Sequence, residues 1–164
     1  VKLRMTDPTL PGEWENIQID SQQIKFSFIN TGVPHVVILV KDLEETDVLI
    51  IGRQIRYHSR FHPSGTNVNF VKIMDRRNIS VRTYERGVED ETLACGTGSV
   101  ASAVVFKLQS GVQKSNRINV RTQGEVLKVN FDMKQKKVSD VWLQGQARVV
   151  YRGEIVQPQK TQSD

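Results

Sequence analysis

The chain has 164 residues, of which 38% are hydrophobic and 25% charged, and its formal net charge is +5. This length suits one well-buried domain, and no apolar run approaches the roughly 18 residues of a membrane span. The basic residues are dispersed among acids, which favours a solvated surface over a nucleic-acid-binding face. The single cysteine excludes an internal disulfide and is typical of a reducing, cytoplasmic protein.

The first half of the chain reads as strands interrupted by one helix. The run 36–40 is apolar throughout, which predicts a central strand. A helix is expected from Thr46-Asp47 to about Ser59, with Gly52 weakening it unless that glycine marks close packing. The other strands predicted in this half are 1–5, 24–29, 67–74 and 79–85.

Small and apolar residues at helical spacing predict a second, buried helix from Ser99 to Leu108, with Gly111 as its C-terminal stop. An antiparallel meander is then expected, with strands at 117–122, 125–131, 138–143 and 146–151. This order predicts an α+β fold in which an antiparallel sheet curls around the buried helix. Residues 1–155 are expected to form the domain, and 156–164 a disordered tail.

The most informative stretch, 84–100, contains the only cysteine, Cys95, followed by Gly96-Thr97-Gly98. Cys95 is predicted to lie at the N-terminus of the buried helix, where the helix dipole and free backbone N–H groups favour a thiolate. The glycines make those N–H groups approachable, which favours a carboxylate ligand. Abstraction of a proton next to a carboxylate needs such a pair: a thiolate as the base and N–H groups that bind the carboxylate.

Simpler interpretations of this stretch are weaker. An inert core cysteine would be expected among apolar neighbours, whereas charged residues crowd the segment before Cys95. Residues 96–101 formally fit a dinucleotide-binding fingerprint, but they lack the preceding apolar strand and the later acid. Cys95 and three scattered histidines give no metal-ligand spacing, so no metal is expected.

Two further residues are candidate site residues because of their positions in the sequence. His35 directly follows a rigid Gly-x-Pro turn, which is compatible with a site residue or with a core histidine. Glu85 ends the strand face that it shares with Ile79, Val81 and Thr83, which indicates a carboxylate that points into a site.

Residues 81–87 and 91–98 closely resemble the C-terminal signature of the diaminopimelate epimerase family. Thr31 to His35, Phe61, residues 66–70 and the final meander follow the family's order, so the resemblance covers about 1–155. Proline-type racemases would carry Ser-Pro where Leu93-Ala94 stand, and phenazine-type isomerases lack the cysteine. Both relatives are disfavoured.

The resemblance implies a cofactor-independent isomerase that interconverts LL- and meso-diaminopimelate, on the route to lysine and cell-wall precursors. It also implies two similar halves, each a sheet around a helix, with one cysteine from each half on opposite sides of the substrate α-carbon. By resemblance, Cys95, Glu85 and His35 are catalytic. The substrate-binding positions implied in the same way are Asn67, Glu85, Arg86, Gly96 and Thr97.

This sequence carries only one of the two thiols, and it begins with Val1 rather than methionine. We therefore expect it to be the C-terminal half of a longer enzyme, inactive alone. The expected partners are the small molecule diaminopimelate and the N-terminal half, with no nucleic acid or membrane. An apolar face left by the missing half would also favour self-association, so a homodimer is a further hypothesis.

One position departs from the family pattern. Many members carry asparagine between the glycine and proline of the turn before His35, and Val33 stands there instead. Valine cannot make that hydrogen bond, so affinity for the distal end of the substrate is in question.

Three alternatives remain open from the residues. They are a related cofactor-independent racemase or isomerase of the same fold, an enzyme that uses Cys95 as a covalent nucleophile, and a basic binding module in which Cys95 is structural.

Overall fold

The computed structural model describes residues 1–110, 116–134 and 137–154. Within these residues, ten strands form one sheet and two α-helices pack against it. The strands are β1 (Lys2–Arg4), β2 (Glu15–Ile19), β3 (Gln22–Asn30), β4 (Pro34–Leu39), β5 (Asn67–Ile73), β6 (Asn78–Glu85), β7 (Asp90–Thr92), β8 (Arg117–Arg121), β9 (Val126–Lys134) and β10 (Lys137–Gln144).

Helix α1 spans Val48–Arg56, and the Asp47 side chain caps it by accepting the N–H of Ile50 at 3.0 Å. The predicted start is confirmed. The helix ends at Arg56, short of Ser59, because a separate 3₁₀ turn begins there (Ser59–Phe61). Gly52 does mark close packing, since a Cβ at this position would lie 2.5 Å from the Cβ of Tyr84.

Helix α2 spans Gly96–Ser110 and is buried on all sides from Gly98 to Lys107. It contacts β3, β4, β5 and β6 and also β8, β9 and β10, so the sheet wraps around it. The predicted buried central helix and the α+β class are confirmed. The predicted stop at Gly111 lies outside the described residues.

The sheet order is β1-β10-β9-β8-β6-β5-β4-β3-β2, with β7 paired to β6 off this path. Most pairs are antiparallel, but β4 pairs with β5 and β6 pairs with β8 in parallel. The expectation of an antiparallel sheet is therefore corrected at these two places. Each parallel pair is joined through a crossover that contains a helix, α1 in the first and α2 in the second.

Alternating residues of the central strands face two apolar clusters. On β4, Val37 packs in the cluster around α2, whereas Val36 and Ile38 pack in the cluster around α1. Strand β4 is thus buried on both faces, which explains its continuous apolar run and confirms its central position.

The predicted strand at 146–151 is wrong. Residues 145–154 form no strand, and Val149, Val150 and Tyr151 are largely exposed. The free edge of β10 is instead occupied by β1, whose Lys2 pairs with Gln144. Strands β2 and β7 were not predicted, because β2 is mostly polar and β7 has only three residues. The expected tail at 156–164 lies outside the described residues.

Candidate active site

Cys95 immediately precedes α2 and is held by its own turn. The backbone N–H of Gly98 donates to Sγ at 3.4 Å, and the Thr97 hydroxyl lies 3.5 Å from Sγ. The hydroxyl and the backbone N–H of Ser99 both donate to the Cys95 carbonyl at 2.9 Å. Only 7% of Cys95 is exposed. The thiol therefore has a fixed position at the helix N-terminus.

Burial raises the pKa of the Cys95 thiol above its ordinary value. The donors on Thr97 and Gly98 act in the opposite direction, while the Glu85 carboxylate raises the pKa further. The sequence predicted that the helix terminus favours a thiolate. The donors do reach the sulfur, but burial outweighs them, so Cys95 is a neutral thiol in this chain.

Gly98 allows a side chain from the sheet to approach the cysteine turn. A Cβ on this residue would lie 2.3 Å from Oδ1 of Asn69 and 3.2 Å from Sγ of Cys95. Asn69 lies on β5, which packs under the first turn of α2. A glycine is needed here because any larger residue would displace the asparagine or the thiol.

His35 lies at the start of β4 and is fully buried. Its Nδ1 is 3.1 Å from Nδ2 of Asn69. Its Nε2 has no hydrogen-bond partner among the described residues. Burial, and then the positive charge of Arg86, lower the pKa of His35 to about 4. The ring is therefore neutral near pH 7.

Asn67 connects the strands on either side of it. It lies beside His35 in the parallel register of β4 and β5. Its Nδ2 donates to the Pro34 carbonyl at 3.0 Å, and its Oδ1 accepts the backbone N–H of Arg86 at 2.9 Å. The Arg86 guanidinium donates to the Ser64 carbonyl at 3.0 Å. These bonds place the arginine near His35.

Glu85 ends β6 and is half-buried. Its Oε2 accepts a hydrogen bond from the Thr92 hydroxyl at 2.8 Å. The turn that follows is fixed from the α1 side, because Arg56 forms a salt bridge with Glu89 at 2.9 Å. The carboxylate is thus held near the thiol whose pKa it raises.

Comparisons with known proteins identify the family of the chain. A model of the diaminopimelate epimerase family matches residues 27–150. The chain belongs to the diaminopimelate epimerase family.

Two curated relatives show how much of a family member is present. The diaminopimelate epimerase of Aquifex aeolicus is 46% identical over 156 residues, which cover 94% of this chain and 54% of the relative. That of Chlorobaculum tepidum is 46% identical over 129 residues, which cover 78% of this chain and 49% of the relative. The chain therefore spans about half the length of the curated diaminopimelate epimerases that it matches.

Two solved structures share the fold. A hydroxyproline epimerase from Agrobacterium vitis, solved with bound trans-4-OH-L-proline, has a TM-score of 0.67 at 17% identity and covers 87% of this chain and 48% of its own. A methylitaconate-delta-isomerase has a TM-score of 0.55 at 12% identity, with coverage of 80% and 46%. At these identities the likeness shows the fold alone.

The structure brings the sequence-predicted residues of this family member to one end of α2 and the adjoining strand ends. Gly96 and Thr97 begin α2 directly after Cys95, while His35 and Asn67 lie side by side on β4 and β5. Glu85 ends β6, and Arg86 directly follows it. No hydrogen bond between described residues joins Cys95 directly to His35 or Arg86. Asn69, which the sequence analysis did not select, lies between the imidazole and the cysteine turn: its Nδ2 is 3.1 Å from Nδ1 of His35, and its Oδ1 lies against Gly98.

Three supporting residues were missed: Asn69, Thr83 and Thr92. Asn69 and Thr83 are buried polar residues on β5 and β6 respectively, and Asn69 stands between the apolar residues Val68 and Phe70. A polar residue that interrupts an otherwise apolar central strand was the available signal, because such a group must find a partner inside the protein.

Within the described ranges, no group of three or more His, Cys, Asp or Glu residues could hold a metal ion. Neither of the two helices described is long and apolar enough to cross a membrane.

Proposed function

We propose that this chain is the C-terminal half of a cofactor-independent epimerase that interconverts LL- and meso-2,6-diaminopimelate, on the route to lysine and cell-wall precursors. One observation carries the proposal: in a member of this family, the only thiol is buried at the N-terminus of the central helix, 3.4 Å from a backbone N–H donor.

The helix N-terminus supplies the substrate's anchor. Backbone N–H groups in the first turn lack acceptors within the helix, and the dipole favours an anion there. We assign the α-carboxylate of the substrate to the amides of Gly96 and Thr97. The space at Gly96 is tight, since a Cβ there would lie 3.0 Å from Cδ2 of Leu143.

The chemistry requires a second acid. The α-proton of an amino acid is far less acidic than a thiol, so oriented dipoles and exclusion of water must stabilise the carbanion. One base that returned its own proton would restore the original configuration. Inversion therefore needs a donor on the opposite face, and this chain has one cysteine. The N-terminal half supplies the second thiol in this account.

Cys95 has two proposed roles, as the acid in one direction of the reaction and as the base in the other, and its protonation state fits the first. Because burial raises its pKa, the resting group is a thiol, which suits the return of a proton to the carbanion. In the reverse direction the same sulfur acts as the base, once the opposing group takes over as the acid.

The remaining polar groups are assigned to the substrate's amino and distal ends. Asn67, Arg86 and Glu85 are the substrate-binding groups, with Glu85 and His35 also assisting proton transfer. Val33 offers no side-chain hydrogen bond where many family members have asparagine, so we expect either weaker binding of the distal end or a different donor.

Proton exchange tests the function. The α-protons of LL- and meso-diaminopimelate are followed by NMR in D₂O, with this chain alone and after addition of the N-terminal half of the same enzyme as a separate polypeptide. Exchange and inversion are expected only in the mixture. Full inversion by this chain alone would contradict the two-thiol division and require a second acid within these 164 residues.

A further inference from the structure

We infer that Asn69 is a positioning residue that fixes the tautomer of His35, with the imidazole proton on Nε2. The role given to that proton deepens the proposed function and rests on it, whereas the tautomer itself does not.

Asn69 is fully buried and uses its whole amide group. Its Nδ2 lies 3.0 Å from the Val36 carbonyl oxygen and 3.1 Å from Nδ1 of His35. Its Oδ1 lies 3.1 Å from the Thr83 hydroxyl. The amide thus joins three strands, β4, β5 and β6, directly beneath the first turn of α2.

The Val36 carbonyl fixes the orientation of this amide. A carbonyl oxygen only accepts, so the NH₂ group must face it, and the reverse orientation would set two acceptor oxygens against each other. The Thr83 hydroxyl can donate or accept, and it therefore fits the oxygen side without deciding the orientation.

The orientation of the amide then decides the tautomer of His35. The second N–H of the NH₂ group points at Nδ1, so Nδ1 must be an acceptor. In a neutral imidazole the proton is then on Nε2. This Nε2–H is buried and has no partner among the described residues, and in the proposed enzyme the substrate supplies the acceptor.

Gly98 encloses the oxygen side of the same amide, since a Cβ there would lie 2.3 Å from Oδ1. Rotation of the amide is therefore opposed from the helix as well as from the strands. The same close contact connects the tautomer of His35 to the turn that holds Cys95.

The tautomer can be read by NMR on this chain alone. Long-range ¹H–¹⁵N correlations of ¹⁵N-histidine-labelled protein distinguish protonated from bare ring nitrogens, and His35→Gln assigns the signals among the three histidines. At pH 7 we expect Nδ1 of His35 to be bare and Nε2 protonated. In Asn69→Asp the carboxylate can only accept, so we expect a proton on Nδ1.

Asn119→Asp is the matched control, because this amide donates to Asn78 near the far end of β6 and should leave the His35 signals unchanged. A wild-type Nδ1–H, or a bare Nδ1 in folded Asn69→Asp, would overturn the proposal. If Asn69→Asp does not fold, a through-hydrogen-bond coupling between Nδ2 of Asn69 and Nδ1 of His35 in the wild type decides: its presence supports the proposal and its absence overturns it.

The proton-exchange assay separates the claim about the tautomer of His35 from the proposed function. With the N-terminal half added, folded Asn69→Asp should lose about 10²-fold in exchange rate, the size of a general acid–base contribution. Wild-type protein that shows the expected tautomer but no exchange would refute the proposed function and leave the role of Asn69 intact.

Discussion

The two buried titratable groups of the site, Cys95 and His35, are held in different ways. Cys95 is bound by residues two to four positions along its own turn, Thr97, Gly98 and Ser99. His35 is bound by Asn69, 34 positions away, which is itself oriented from β4 and β6. Local hydrogen bonds thus position the thiol, whereas the register of the sheet positions the imidazole.

Burial has the same effect on both groups. It raises the pKa of Cys95 and lowers that of His35, so both are neutral near pH 7. The site therefore rests as a thiol and a neutral imidazole, with the nearby charges carried by Glu85 and Arg86. In the proposed mechanism, charge separation awaits the substrate and the opposing half, which also exclude water.

The largest effect expected from the difference between His35 and Cys95 is the pH dependence of stability that His35 causes. Its folded pKa of about 4 lies below the ordinary value of 6.5, so between these pH values the unfolded chain binds a proton that the folded chain does not. Stability should therefore fall as the pH drops from 6.5 to 4, by about 3 kcal/mol for this group. Urea unfolding at pH 7 and pH 4.5 should show a smaller loss in His35→Gln.

His62→Gln is the control for this experiment, because it removes an exposed histidine. If His35→Gln and wild type lost the same unfolding free energy on acidification, burial of a neutral His35 would be refuted.

A smaller effect on stability is expected from Gly98→Ala, which disrupts the contact between the Cys95 turn and Asn69. The added methyl group would meet Asn69 Oδ1 at 2.3 Å, and Asn69 is pinned by three hydrogen bonds. We expect a loss of about 2 kcal/mol in unfolding free energy at pH 7, typical of overpacking.

Gly12→Ala provides the matched comparison, since its Cβ would meet nothing closer than 3.8 Å. Equal stability changes in the two variants, measured by urea unfolding, would show that the contact between Gly98 and Asn69 is not tight.

The contrast between local hydrogen bonds at Cys95 and sheet register at His35 also explains what could be predicted from the sequence. Cys95, its glycines and the buried helix could be predicted because their signal lies within about fifteen consecutive residues. Asn69 could not, because its partners depend on the parallel pairing of β4 with β5 and the antiparallel pairing of β5 with β6. Nothing local specifies either register.

The wrong strand at 146–151 has a related cause. Its alternating and apolar residues look like a strand, but a strand also needs a free edge. That edge of β10 is taken by Lys2–Arg4 from the other end of the chain. Competition between distant segments for one edge is not visible in either segment alone.

The central claim is that Cys95 itself transfers the proton. Its most direct test is the rate of inversion of diaminopimelate by the two combined halves, with Cys95→Ser compared with Ser102→Ala, a buried hydroxyl on the same helix. We expect Cys95→Ser to lose at least about 10²-fold and Ser102→Ala to keep the wild-type rate. Inversion by Cys95→Ser at the wild-type rate would contradict the account.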